Sequence, residues 1–291
     1  MSNPSKHSCV VGLCIKNNAK GLPKVFENLS KFRTLFDKFM VVAYYDKSDD
    51  NSLEVLNSLC GKYNIGLVLI NKNGKGPVSK TRTFNIANAR NNILNFINKN
   101  CDEFDLFAMM DSNDYSCQGD IKIDVIERYL KDEELYNGWD GLSFAREPYY
   151  DYWAFSGGIF QISCWCYPYA RYNHTNGLVY SAEDFQEEMR KYIYETYFTP
   201  ENKGKLVPVD SAFCGFAIYK KEAFKGCSYN GRFTLMYNDK ELLKQNIEKY
   251  RPPNNVRHDD CEHRFFHLQA KKENGAKIMI ACDQAFEEYD R

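Results

Sequence analysis

Between residues 9 and 110 the chain repeats one pattern: a short apolar run, a polar turn, an amphipathic stretch, then the next apolar run. The apolar runs are 9–15, 39–45, 65–70 and 104–110, each of the length of a strand buried on both faces. Pro23 opens the stretch 23–36, where Val25, Leu29, Phe32 and Phe36 fall on one helical face. Residues 53–63 and 84–98 are the next two helical stretches. Strands alternating with helices specify a doubly wound, mostly parallel α/β sheet. In such sheets ligands bind beyond the C-terminal ends of the strands. Candidate functional residues are therefore sought where an apolar run stops.

The run 104–110 stops in Asp111-Ser112-Asn113-Asp114. Oxygens of this kind at a strand end are hard ligands suited to Mn²⁺ or Mg²⁺. Asp111, Asn113 and Asp114 are thus candidate metal ligands, with the second position open between Asn113 and Asp114. The same residues also suit the N-cap of a following helix. The run 39–45 stops in Asp46, with Asp49 close behind. An acid there can hydrogen-bond a ribose or a base, or sit in a solvated turn. Arg82 and Arg90 lie two turns apart on one helical side. A guanidinium suits a phosphate or a base edge, although ordinary helix-surface charge has the same spacing. Asp46, Arg82, Arg90 and Asp111 are the candidate cofactor-binding residues.

Beyond residue 120 the alternation is lost. Helices are expected at 123–130, 182–198 and 261–273, and strands at 140–145, within 206–220 and at 277–281. Residues 147–171 are aromatic-rich and irregular. In Tyr149-Tyr150-Asp151-Tyr152-Trp153-Ala154-Phe155 rings surround one acid. Rings stack on sugar faces and an acid orients a hydroxyl, while a strand edge in the core is the competing explanation. Asp210 precedes an apolar stretch. Asp151 and Asp210 are the candidate catalytic carboxylates. Glu183 and Asp184 are rivals that also read as a helix start. His263 and His267 are one helical turn apart, and His263 is a candidate further metal ligand. Packing or capping would explain both, and a zinc site shared with Cys261 is the weaker alternative.

A net charge of −1 over 291 residues argues against broad nucleic-acid binding. The eleven cysteines include no CxxC pair, and Cys164 and Cys166 form only CxC. Reduced, mostly buried thiols in a cytosol-like compartment are expected. The apolar run 9–15 is short for a secretory signal, and the stretch 153–169 carries Gln161 and two glycines, so no membrane span is expected. Cytoplasmic residence follows as an expectation.

Taken together, Lys16-Asn17 after the first run, the turn 46–51, Ala89-Arg90-Asn91 and Met110-Asp111-Ser112-Asn113-Asp114 resemble a GT-A-type glycosyltransferase, over most of the chain. Tyr150-Asp151-Tyr152-Trp153, Phe213-Cys214-Gly215-Phe216 and Cys261-Glu262-His263 are similar to glycosyltransferases of large DNA viruses and, more distantly, to fungal capsular mannosyltransferases. The resemblance implies a GT-A (Rossmann-like) fold with a mixed, mostly parallel sheet and an irregular, aromatic-rich acceptor half. It implies one catalytic domain over 1–291, with 1–120 binding the nucleotide-sugar and 121–291 the acceptor. It further implies a UDP- or GDP-sugar donor, Mn²⁺ or Mg²⁺ held by Asp111 and its neighbours, and a glycan or protein acceptor. In a viral setting, host cytoplasm or virion would be the location. Asn113 departs from a strict DxD pattern and puts the ligand set in question. A sugar nucleotidyltransferase and a non-catalytic carbohydrate-binding protein are the rival functions. The first usually needs a Gly-rich phosphate loop after the first strand, and Lys16-Asn17-Asn18 is not one.

Overall fold

The strand β1 (Ser5–Ile15) is the spine of the molecule. Its Cys9, Val10, Val11 and Leu13 are fully buried, because both faces of the sheet are covered. Val10 faces one core, and Cys9, Val11, Leu13 and Ile15 face the other. The coordinates are a computed structural model that describes residues 5–158, 160, 161, 164, 182–250 and 258–288.

In chain order the first half holds α1 (Leu22–Phe32), β2 (Phe36–Tyr45), α2 (Ser52–Tyr63), β3 (Leu67–Ile70), α3 (Arg82–Asn100) and β4 (Leu106–Asp111). The second holds α4 (Ile123–Lys131), α5 (Glu133–Asn137), β5 (Gly141–Ala145), α6 (Ala182–Thr196), β6 (Leu206–Pro208), β7 (Phe216–Lys220), α7 (Lys240–Tyr250), α8 (Glu262–Asn274) and β8 (Ile278–Gln284). All eight strands join one sheet in the order β3-β2-β1-β4-β7-β5-β8-β6. The pairings β2–β3, β1–β2, β1–β4 and β5–β8 are parallel. Among the described strands β7 and β6 run against the rest. This is the mostly parallel α/β sheet that the alternation specified, with the mixed character that the resemblance implied, and strands from both halves of the chain build it.

Apart from strand ends that shift by a few residues, three differences from the sequence expectation stand out. The first helix stops at Phe32, a single 3₁₀ turn covers Arg33–Leu35, and Phe36 is already extended. Phe36 continued the apolar spacing because its ring packs edge-on against Phe32 at 4.9 Å. The region 206–220 forms two strands. Cys214 (φ 53°) and Gly215 (φ 86°) turn the chain through the left-handed region, which parts β6 at the sheet edge from β7 in its middle. The helices α5 and α7 have no counterpart in the sequence reading. Each starts at an aspartate that caps it: Asp132 Oδ1 accepts from Leu135 N at 3.0 Å, and Asp239 Oδ1 from Leu242 N at 2.9 Å.

One close approach sets the position of α3. A Cβ built on Gly12 of β1 would lie 2.7 Å from Met109 Sδ and 2.8 Å from Ile93 Cγ2. Glycine at this point lets α3 settle onto the sheet. Arg90, one turn before Ile93, is thereby brought to the C-terminal edge of β1 and β4.

Candidate active site

A cavity of about 740 Å³ opens at that edge. Its walls come from the ends of β1, β2 and β4, from the N-terminal turns of α3 and α8, and from the segments around Asp151 and Phe213. Asp46, Arg82, Arg90, Asp111, Asn113, Asp151 and His263 all line it. Seven residues singled out from the sequence therefore meet in one place.

Arg90 is the centre of the floor. Its side chain is 6% exposed, and its Nη2 donates to Asp111 Oδ1 at 3.0 Å. Its Nη1 donates to Glu262 Oε1 and to His263 Nε2. The guanidinium also faces the Phe213 ring, with Cζ 4.8 Å from the ring centre. Burial alone would lower its pKa, but the charges of Glu262 and Asp111 outweigh burial and hold it above its ordinary value. Arg90 is thus a fixed cation buried among its partners, not a helix-surface charge. Arg82, two turns earlier, also lines the cavity but makes no ion pair or hydrogen bond among the described residues.

Four carboxylates share this space. Asp111 Oδ2 accepts a 3.3 Å bond from Ser116 Oγ, and burial raises its pKa against the opposing pull of Arg90 and Arg82. Asp46 is 9% exposed, and burial raises its pKa against the charge of Lys16. Asp151 is held by Cys214 N at 3.0 Å and Ala154 N at 3.4 Å. Burial, helped by the negative charge of Asp111, pushes Asp151 up to about 7. Glu262, the partner of Arg90, is the fourth. Sequence reasoning quoted Glu262 only as part of a resemblance and gave it no role. Its position in the first turn of α8 is also what a helix start would show. Its partner, the buried Arg90, lies 172 positions earlier, so local sequence carried no signal for it.

The remaining candidates are placed elsewhere or otherwise engaged. Asp114 lies outside the cavity lining and pairs with Lys20 Nζ at 2.7 Å. Asp210 also lies outside it, bonded by Gln161 Nε2 at 2.9 Å and Lys271 Nζ at 2.5 Å. Asn113 Oδ1 accepts from Ser116 N at 2.6 Å and Tyr115 N at 3.1 Å, so it closes a local turn. Among the aromatic cluster, Asp151 and Trp153 reach the cavity, while Tyr149 and Phe155 are core residues 6.2 Å apart. His267 is a core histidine between Ser211 Oγ at 2.9 Å and Tyr219 Oη at 3.0 Å, and burial lowers its pKa to about 3. Ser181, Cys166 and the side chains of Glu183 and Asp184 lie outside the described residues.

These contacts test the expected metal ligands. Burial and the charge of Arg90 depress the His263 pKa, so the imidazole is neutral. Arginine can only donate; Nε2 therefore accepts and Nδ1 carries the proton. His263 Nδ1 is buried without a partner among the described residues. Neither nitrogen offers a lone pair. With Asn113 in a turn and Asp114 on Lys20, Asp111 is the one carboxylate of the expected ligand set that lines the cavity. Among the described residues no group of three or more His, Cys, Asp or Glu is arranged to hold a metal ion, Cys261 with its neighbouring histidines included. The set Asp111, Asn113, Asp114 and His263 does not fit a divalent cation in this arrangement.

No protein-family model and no curated protein matches the chain. Solved structures do show likeness of overall shape. S. aureus TarS superposes with a TM-score of 0.48 at 14% identity, over 96% of this chain and 36% of that one. The mannosyltransferase PcManGT of Pyrobaculum calidifontis, solved with GDP-Man and Mn²⁺, gives 0.46 at 12% identity, over 95% of this chain and 57% of that one. Glucosyl-3-phosphoglycerate synthase of Mycobacterium tuberculosis, in complex with UDP, gives 0.41 at 12% identity, over 98% and 73%. The chain spans only about a third of TarS and under three-fifths of PcManGT. No described helix is long and apolar enough to cross a membrane.

Proposed function

We propose that the chain is a GT-A-type glycosyltransferase that moves a sugar from a nucleotide-sugar donor, a UDP-sugar or a GDP-sugar, to a hydroxyl of a glycan or protein acceptor. The observation that carries this reading is the joint presence of Asp46, Arg82, Asp111 and Asp151 on one cavity at the strand C-terminal edge. The volume of about 740 Å³ suits a ligand of nucleotide-sugar size.

In this reading the nucleoside lies over the ends of β1 and β2 with Asp46 at its ribose or base, and the diphosphate faces Arg82. Asp151 is the catalytic base. A carboxylate raised to about 7 can take a proton near neutral pH and still be largely ionised just above it. The acceptor hydroxyl gives its proton to Asp151 as its oxygen bonds to the anomeric carbon. The bond from that carbon to the diphosphate oxygen breaks, and the nucleoside diphosphate leaves with the electron pair. Attack opposite the leaving group inverts the anomeric centre. The cavity walls orient donor and acceptor, which removes much of the entropic barrier.

The test is nucleotide release from a panel of UDP- and GDP-sugars, with Mn²⁺ supplied. Slow release of one nucleotide, lost in Asp151→Asn, supports the reading. No release, together with no thermal stabilisation by UDP or GDP, sinks it and favours a carbohydrate-binding protein. Pyrophosphate release from a nucleoside triphosphate and a sugar phosphate would instead favour the nucleotidyltransferase.

A further inference from the structure

A nucleoside diphosphate brings several negative charges against a floor that already holds Asp111 and Glu262. A divalent cation is the usual solution to such repulsion. Here the space between those carboxylates is filled. Arg90 Nη2 is on Asp111 Oδ1 at 3.0 Å, and Nη1 is on Glu262 Oε1 and His263 Nε2. A divalent ion taking these oxygens would sit in contact with a buried guanidinium that cannot deprotonate. Moving Arg90 aside would strand it in the core without its partners. Facing this floor, Arg82, Lys16 and Lys80 line the cavity with no ion pair among the described residues.

We propose that Arg90 stands where a divalent cation would, and that Arg82, with Lys16 and Lys80, receives the diphosphate, so that the nucleotide binds without metal. The charge division explains why two arginines on one helical side differ so much. Arg90 neutralises the protein's own carboxylates, and Arg82 is left for the ligand's. The proposal rests on the glycosyltransferase reading of the same cavity.

Calorimetric titration of UDP and of GDP, in EDTA and in Mn²⁺ buffer, tests it on the intact chain. One nucleotide should bind in both buffers with Kd values within roughly threefold of each other. Arg82→Ala should weaken that binding about tenfold in EDTA, the loss of one charge-assisted contact. The Arg82 side chain makes no ion pair or hydrogen bond among the described residues, so the variant is expected to fold as the parent does. In a second measurement, adding nucleotide-free protein should leave the electron paramagnetic resonance signal of free Mn²⁺ unchanged. Nucleotide binding confined to Mn²⁺ buffer, stoichiometric loss of the Mn²⁺ signal, or parental affinity in Arg82→Ala would each overturn the proposal. Absence of binding by both nucleotides in both buffers would count against the glycosyltransferase reading itself, and the proposal would fall with it.

Discussion

Asp151 and Asp210 are both carboxylates of the second half, and their surroundings are opposite. Asp151 faces the cavity, accepts only backbone N–H groups among the described residues and is pushed up to about 7 by burial and the charge of Asp111. Asp210 faces away from it and is held by Lys271 and Gln161. Both of its oxygens are thereby engaged, Oδ1 by Lys271 Nζ and Oδ2 by Gln161 Nε2. What separates a base from a structural acid here is therefore the partner set, which residue type and local sequence do not encode.

The contrast is sharpest in turnover. Asp151→Asn should lower nucleotide release by about 10²–10⁴ while nucleotide affinity, read by calorimetry, stays the same. Asp210→Asn should stay near parental rate. A larger loss in Asp210→Asn would reverse the assignment. The pH profile adds a second reading. A base must be unprotonated, so turnover should rise with pH through about 7. Stability runs the other way. The folded carboxyl sits above its unfolded value, so the folded state loses stability as pH climbs from the ordinary carboxylate range through about 7. Asp151→Asn removes that loss, and urea unfolding should find the variant gaining on the parent between pH 5 and 8.

The same contrast of buried and exposed groups applies to ion pairs. Arg90→Met leaves Asp111 and Glu262 without their cation and should cost about 3–5 kcal/mol in urea unfolding. Lys20→Ala breaks the exposed pair with Asp114 and should cost under about 1 kcal/mol. Equal losses in the two would mean that Arg90 is solvated. Between them stands Gly12→Ala. Its new methyl would meet Met109 and Ile93, lifting α3 for a cost of about 1–3 kcal/mol. A variant as stable as the parent would show that α3 tolerates displacement.

The first half was legible because its chemistry follows from element order. Once strands alternate with helices, the end of each apolar run must reach one edge of the sheet, and Asp46 and Asp111 arrive there together. Arg90 was legible as a residue of that edge but not as a buried one, because its burial depends on Gly12, on Phe213 and on Glu262, 172 positions away. In the second half the site is reached through irregular chain. Asp151 was found by its aromatic neighbours, two of which are simply core. Asp210 was proposed on its place before a strand, but the strand it follows, β6, runs against β8 and ends with Pro208 beside Met279, at the N-terminal end of β8 and away from the cavity.

The reversed strand β7 ties the two halves of the cavity together. At its entrance Gly215 O accepts from Asp111 N at 2.8 Å, and Cys214 N donates to Asp151 Oδ2 at 3.0 Å. Adjacent residues of a single tight turn thus grip both carboxylates, one by its backbone and one by its side chain. The turn therefore works as a spacer gauge: one two-residue step of backbone sets the side chain of Asp151 against the end of β4 that carries Asp111.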